Sequence, residues 1–161
     1  MKQVYLTQGK IALVDDSDYE KVVCYKWYAT LIHNTWYARR NVTKKCKYAF
    51  LHSFILEQDS YNGYEIDHIN GNGLNNIRSN LRLCTHKQNT HNSPSRGGTS
   101  QYKGVSWAKK KHKWAADITP NGIHKFLGYF DDEVTAALAY NKAAMLYFKE
   151  FAYLNNVNDN E

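Results

Sequence analysis

The chain has 161 residues, 43% hydrophobic and 14% aromatic, which is enough to close a core and excludes a disordered polymer. No apolar run approaches the roughly 18 residues of a membrane span, and the opening MKQVYLTQGK lacks the apolar block of an export signal. A cytoplasmic protein is expected. Lys and Arg outnumber Asp and Glu by 21 to 15, and the excess is uneven: residues 103–125 hold six Lys against one Asp, residues 126–161 two basic against six acidic. A dense basic stretch beside an acidic one favours a polyanionic partner on one face. Cys24, Cys46 and Cys84 are odd in number and form no CxxC pair, so a disulfide framework and a Cys-rich zinc site are not expected.

In chain order, residues 1–50 read as a β-rich lead-in. WYATLIHN and TWYARRNV are aromatic and β-branched, meet around His33–Asn34, and predict an antiparallel hairpin. KYAFLHSFILE reads as a strand leading into a short helix. Residues 59–80 contain six Asn and three Gly, a composition suited to turns and a long ordered loop. LRLC follows as a short strand, and Thr85 with Gln88 has the spacing of a capping box, so a helix is expected there. SPSRGGTSQ, residues 93–101, reads as a linker. Beyond it YKGVSW, HKWAADI and IHKFLGYF are three strands, with Pro120–Asn121–Gly122 as a turn. Asp131 or Asp132 then caps a helix reaching about Phe148. Val134, Leu138, Met145 and Phe148 form its apolar stripe, while Ala136, Ala137, Ala143 and Ala144 allow close approach to a sheet. The NNVNDNE tail reads as polar and frayed. The fold class is α+β.

Chemistry concentrates at Asp67–His68, the Asn/Gly loop, Asn80 and Asn89. The Asp67 carboxylate and the Asn89 amide oxygen are hard ligands suited to Mg²⁺ or Mn²⁺. His68 follows Asp67 on a strand and points to the opposite side of the backbone. With an ordinary pKa of about 6.5 it is mostly neutral at pH 7 and can take a proton from water.

IDHINGNGLNNIRSNLRLCTHKQNTHN resembles the HNH endonucleases, in the subgroup of phage and intron homing enzymes. The resemblance implies a ββα-metal unit with His68 as general base, Asp67 and Asn89 as metal ligands, and Asn80 bracing the loop. Asn at the last position is a recognised variant of the motif's usual His. LHSFIL, with His52, looks like the lead-in to this module. Residues from YKGV to FAYLN resemble an Apetala-type, ethylene-response-factor-like DNA-binding domain. Its three-stranded sheet would enter the major groove with the helix behind it. Alternation turns Trp114, Ala116 and Ile118 toward the helix and Lys113, Asp117 and Thr119 outward. Lys103, Lys109, Lys110, Lys111, Lys113 and Lys125 are the candidate DNA contacts. The plant pattern has Arg and Trp at DNA-facing positions, whereas Lys103, Ser106 and Phe126 fall there here, which favours backbone contact over base readout.

Together these readings describe a metal-dependent DNA endonuclease of the homing type. A nuclease domain (1–92, ββα core about 51–92) and a DNA-binding domain (102–155) flank the linker, with residues 156–161 a frayed tail. The metal is expected to be Mg²⁺, with Mn²⁺ able to substitute, and the partner double-stranded DNA. One active site cuts one strand, so a monomer, the favoured state, would nick. The competing reading is a non-catalytic DNA-binding protein on a vestigial nuclease scaffold; the survival of Asp67, His68 and Asn89 argues against it. A zinc trio of Cys84, His86 and His91 fits no standard spacing. His52 reads as structural, and the aromatics Trp27, Tyr28, Trp36 and Tyr37 as packing.

Overall fold

The computed structural model describes residues 1–42, 49–58 and 63–157, and the chain divides into two compact units, Met1–Asn89 and Thr90–Glu161. In the first, β1 (Lys2–Tyr5) and β2 (Ile11–Val14) form an antiparallel pair, followed by α1 (Asp16–Val23). The hairpin β3 (Tyr28–Ile32) and β4 (Thr35–Arg39) turns at His33–Asn34 as the residue pattern requires. Next come α2 (Leu51–Leu56), β5 (Tyr64–His68) and β6 (Leu81–Thr85), the last two antiparallel. Helix α3 (His86–Asn92) begins at a closed capping box: Gln88 N donates to Thr85 Oγ1 (3.3 Å), and Thr85 N to Gln88 Oε1 (2.8 Å). The expected strand before α2 begins at Lys47 and Tyr48, and these, with Cys46, lie outside the described residues.

Val4, Ala12, Val14, Val22, Trp27, Ala38, Leu51, Ile55, Ile66 and Leu81 build one core. Leu51 and Ile55, four apart on α2, are both fully buried. The lead-in is less purely β than expected, because DSDYEKVV forms α1. That helix buries only Val22 and Asp18, and Asp18 is held by a bidentate bond from Arg78 (Nε–Oδ2 2.8 Å, Nη2–Oδ1 2.9 Å). Arg78 Nη2 also donates to Ile55 O (2.8 Å) and its backbone N–H to Asp15 (2.8 Å). Strand β2 adds two more ties: Leu13 N donates to Leu74 O and Asn76 N to Leu13 O, both at 2.8 Å. The lead-in is therefore the frame on which the Asn/Gly loop is stretched. Gly73 is required where that loop crosses β4, since a Cβ there would lie 2.5 Å from Trp36 O and 2.6 Å from the Tyr37 ring.

In the second unit β7 (Val105–Ala108), β8 (Lys113–Ile118) and β9 (Lys125–Phe130) form an antiparallel sheet in that order, bulged at Ala116/Asp117. Helix α4 (Glu133–Phe148) packs on it, capped by Asp132, whose side chain accepts from Thr135 N (2.7 Å). Ala116 and Ile118 are buried, with Trp114 packed beside them, as alternation along the strand requires. The helix's buried face keeps Phe148 and the four alanines expected to approach the sheet, and departs from the expected stripe at Leu138 and Met145. Ala136, Ala137, Tyr140, Ala143, Ala144 and Phe148 face inward, while Leu138 and Met145 are exposed. The tail also differs: Asn155 is buried, accepts from Lys103 N (2.7 Å) and donates to Lys103 O (3.0 Å). Val157 packs on the core, and residues 158–161 lie outside the description. Thr99 and Ser100, within the expected linker, bond to Trp107 N (2.8 Å) and Glu133 Oε1 (2.5 Å). No helix among the described residues is long and apolar enough to cross a membrane.

Candidate active site

Strand β5 ends in Asp67–His68, and the two-residue period of a strand sends them to opposite faces. Glu65 shares the Asp67 face, whereas Ile66 and His68 face the core side. His68 is 5% exposed. Its ring lies edge-on to His52 (centroids 5.1 Å) and Tyr37 (5.8 Å). Its Nε2 is 3.3 Å from Oδ1 of Asn76, which is fully buried. Asn76 Nδ2 donates a long bond to Gly73 O (3.5 Å), with the amide oxygen on the side of the imidazole. Burial is the main cause holding His68 below its usual pKa, although Asn76 and Asp67 act in the other direction. His52, stacked on Phe50 (5.3 Å, 6°), is pushed down to about 3 by burial and by His68.

The loop from Asn70 to Asn80 is ordered by its own amides. Asn80 Nδ2 donates to Asn75 O (2.7 Å) and Asn70 Oδ1 (3.0 Å), and Asn80 Oδ1 accepts from Asn70 N (3.1 Å). Asn70 and Asn72 each accept from the backbone N–H two residues on (2.9 and 3.0 Å), the side-chain turns for which Asn is favoured.

On the opposite face Asp67 is buried and pairs with its cross-strand neighbour Arg82, whose Nε and Nη2 donate to Oδ2 (2.9 and 2.7 Å). His86 and Asn89, three apart on α3, both reach Glu65: His86 Nδ1 lies 2.8 Å from Oε1, and Asn89 Nδ2 donates to Oε2 (2.6 Å). The Asn89 bond is the first cause holding the Glu65 carboxyl below its usual range, ahead of His86. Cys84 is buried beside this pair of carboxylates; desolvation, then Asp67 and Glu65, push its thiol up to about 11. Its chemistry is that of an inert core residue. Among the described residues no three or more His, Cys, Asp or Glu form a metal cage. The buried Asp67 carboxylate and the anchored Asn89 amide are nevertheless hard oxygen donors of a fitting kind. Mg²⁺ is commonly held by one or two side chains, with substrate phosphates and water completing the shell.

The lysines separate into three situations. Lys109, Lys110 and Lys111 are exposed in the β7–β8 turn. Lys113 pairs with Asp131 (2.9 Å), and Lys125 leans over the Tyr147 ring (5.7 Å). Lys103 departs from the expected DNA contact. Its Nζ donates to the carbonyls of Thr90 (3.1 Å), His91 (2.8 Å) and Ser93 (2.6 Å), and burial lowers its pKa to about 8. It caps the carbonyl end of α3 from a distant strand lead-in. Glu65, Asn76 and Arg82 were not among the residues expected from sequence. The i, i+2 relation of Glu65 to Asp67 and the Asn75–Asn76 doublet were the available signals.

Strands β5 and β6 form an antiparallel pair joined by the amide-bonded loop and followed by α3, whose Asn89 bonds Glu65 on the strand that ends in Asp67–His68. The HNH endonuclease family profile matches residues 51–91. An uncharacterized HNH endonuclease of Acanthamoeba polyphaga mimivirus is 32% identical over 150 residues, covering 93% of this chain and 77% of that protein. The chain therefore belongs to the HNH endonucleases and is a DNA-hydrolysing enzyme. Protein 3.8 of Escherichia phage T7 is 44% identical over 61 residues (37% of this chain, 50% of that protein). DNA endonuclease I-HmuI of Bacillus phage SP01 is 43% identical over 68 residues (39% of each). The chain thus spans half or less of these two phage proteins. No solved structure matches it.

Proposed function

We propose that the chain is a metal-dependent DNA endonuclease of the homing type, with His68 as general base and Asp67 and Asn89 as the side chains that hold the cation. The observation that carries this is His68, buried and held below its usual pKa next to Asp67. A neutral imidazole at physiological pH is ready to accept a proton from an attacking water. Because Asn76 turns its oxygen to Nε2, Nε2 carries the ring proton and Nδ1 the lone pair that receives the new one. Asp67 and Asn89 approach from the other strand face, and Asn80 keeps the intervening loop closed. A bound divalent cation, Mg²⁺ with Mn²⁺ as substitute, would stabilise charge developing on the phosphate.

Residues 1–92 form the nuclease domain in this reading, 93–101 the connection, and 102–155 the domain that grips duplex DNA through its sheet. The exposed Lys109–Lys110–Lys111 turn supports that assignment. A monomer with one such site nicks one strand. Supercoiled plasmid incubated with Mg²⁺ should convert to open circles, with Mn²⁺ substituting and a chelator stopping the reaction. Conversion that continues unchanged in chelator would overturn the metal-dependent reading.

A further inference from the structure

Glu65 lies outside the residues that do chemistry in the reading above, yet it makes two of the shortest side-chain bonds near them. Alternation along β5 sets it on the face of Asp67, and its register opposite Cys84 sets it beneath the first turn of α3. His86 and Asn89 descend from one helix face to its two oxygens, at 2.8 and 2.6 Å. The Asn89 bond has a chemical consequence. A carboxamide has a donor end and an acceptor end of nearly equal shape, and only the oxygen can ligate a cation. Turned by half a rotation, Asn89 would present N–H groups to the metal and repel it.

We propose that Glu65 is a positioning residue for metal binding: by accepting the Asn89 amide N–H it selects the rotamer in which the amide oxygen serves as ligand. The inference rests on Asn89 being a ligand. His86 steadies the same carboxylate from the other oxygen, so its contribution is indirect and smaller. Partners that orient a ligand in this way typically account for about 10- to 100-fold in metal affinity.

The test uses the full chain and Mn²⁺ alone, with binding followed by electron paramagnetic resonance of free Mn²⁺. Far-UV circular dichroism confirms folding of each variant. Glu65→Ala should weaken Mn²⁺ binding by about 10-fold or more. Glu65→Gln, which is isosteric and keeps a carbonyl oxygen to accept from Asn89, should stay within about 3-fold of wild type. Asn89→Ala should weaken binding, and adding Glu65→Ala to it should cause no further loss, because two residues acting through one ligand are not additive. If Glu65→Gln loses as much as Glu65→Ala, or if the double variant is additive, Glu65 does not act through the amide and the inference falls. If Asn89→Ala binds Mn²⁺ like wild type, the assignment of Asn89 as a ligand fails instead. Those two failures are distinguishable in one set of titrations.

Discussion

His52 makes the stability of this protein depend on acid in a way that one substitution should expose. Its pKa is lowered to about 3 from an ordinary 6.5, because the ring is packed among Phe50, Tyr37 and His68. Between those values the unfolded chain carries a proton at this site and the folded chain does not. Stability therefore rises with pH across the window. It is fully present above about 6.5 and drains away as the pH falls toward 3. At most one proton is involved, so the slope approaches about 1.4 kcal/mol per pH unit once the unfolded imidazole is charged, and acidification from about pH 6.5 to 4.5 should cost about 2 kcal/mol from this group. His52→Phe keeps the stack on Phe50 and a similar volume. It should alter stability at neutral pH by less than about 1.5 kcal/mol while removing this share of the acid sensitivity. Urea unfolding of both proteins at about pH 7 and 4.5 measures the difference directly. Carboxylates and His68 titrate in both, so subtraction isolates His52. Equal losses in the two proteins would refute the argument that its burial as a neutral ring is linked to folding.

Other perturbations address the site and its frame. His68→Ala should lower cleavage by about 10² to 10⁴ with duplex affinity nearly unchanged; cleavage at the wild-type rate in a plasmid assay would exclude His68 as the base. Replacing Lys109, Lys110 and Lys111 together with Ala should flatten the slope of log affinity against log salt by about 2 to 3. It should weaken binding alike on target and scrambled duplexes; an unchanged slope would mean the turn does not touch phosphate. Arg78→Ala strips the buried Asp18 of its bidentate partner and leaves, among the described residues, Lys21 at 3.1 Å. A loss of about 2 to 4 kcal/mol is expected in chemical denaturation. Gly73→Ala forces a Cβ against Trp36 O and the Tyr37 ring, and should reduce cleavage by displacing the loop that orients His68.

Features set by near neighbours were legible in the sequence. The β3–β4 hairpin, the capping box of Thr85 and Gln88, the three C-terminal strands and the inward side of β8 all follow from local periodicity or turn chemistry. The HNH stretch singled out Asp67, His68, Asn80 and Asn89 together as candidates. What escaped depends on residues far apart in the chain. Helix α1 has too few apolar residues to declare itself, because one of its two buried residues is an aspartate whose cation comes 60 positions later. Lys103 looks like one charge in a basic run until the last turn of α3 and the residue after it supply three carbonyls. Glu65 and Arg82 acquire their roles only from cross-strand register. The stripe on α4 held at Phe148 and failed at Leu138 and Met145, which are exposed, while the alanines lie inward as their size suggested.

The ties between the lead-in and the Asn/Gly loop bear on what can be transplanted. The family profile spans residues 51–91, yet Leu13, Asp15 and Asp18, which hold that loop at Leu74, Asn76 and Arg78, lie well before it. A graft of residues 51–92 into another protein would carry every signature residue and leave behind the strand and helix that keep them taut. Asn76 would lose its backbone partner Leu13, and the His68 imidazole with it the held amide 3.3 Å from its Nε2. The recognisable motif is therefore shorter than the stretch whose bonds hold its loop in place. A recombinant design should begin at the first strand.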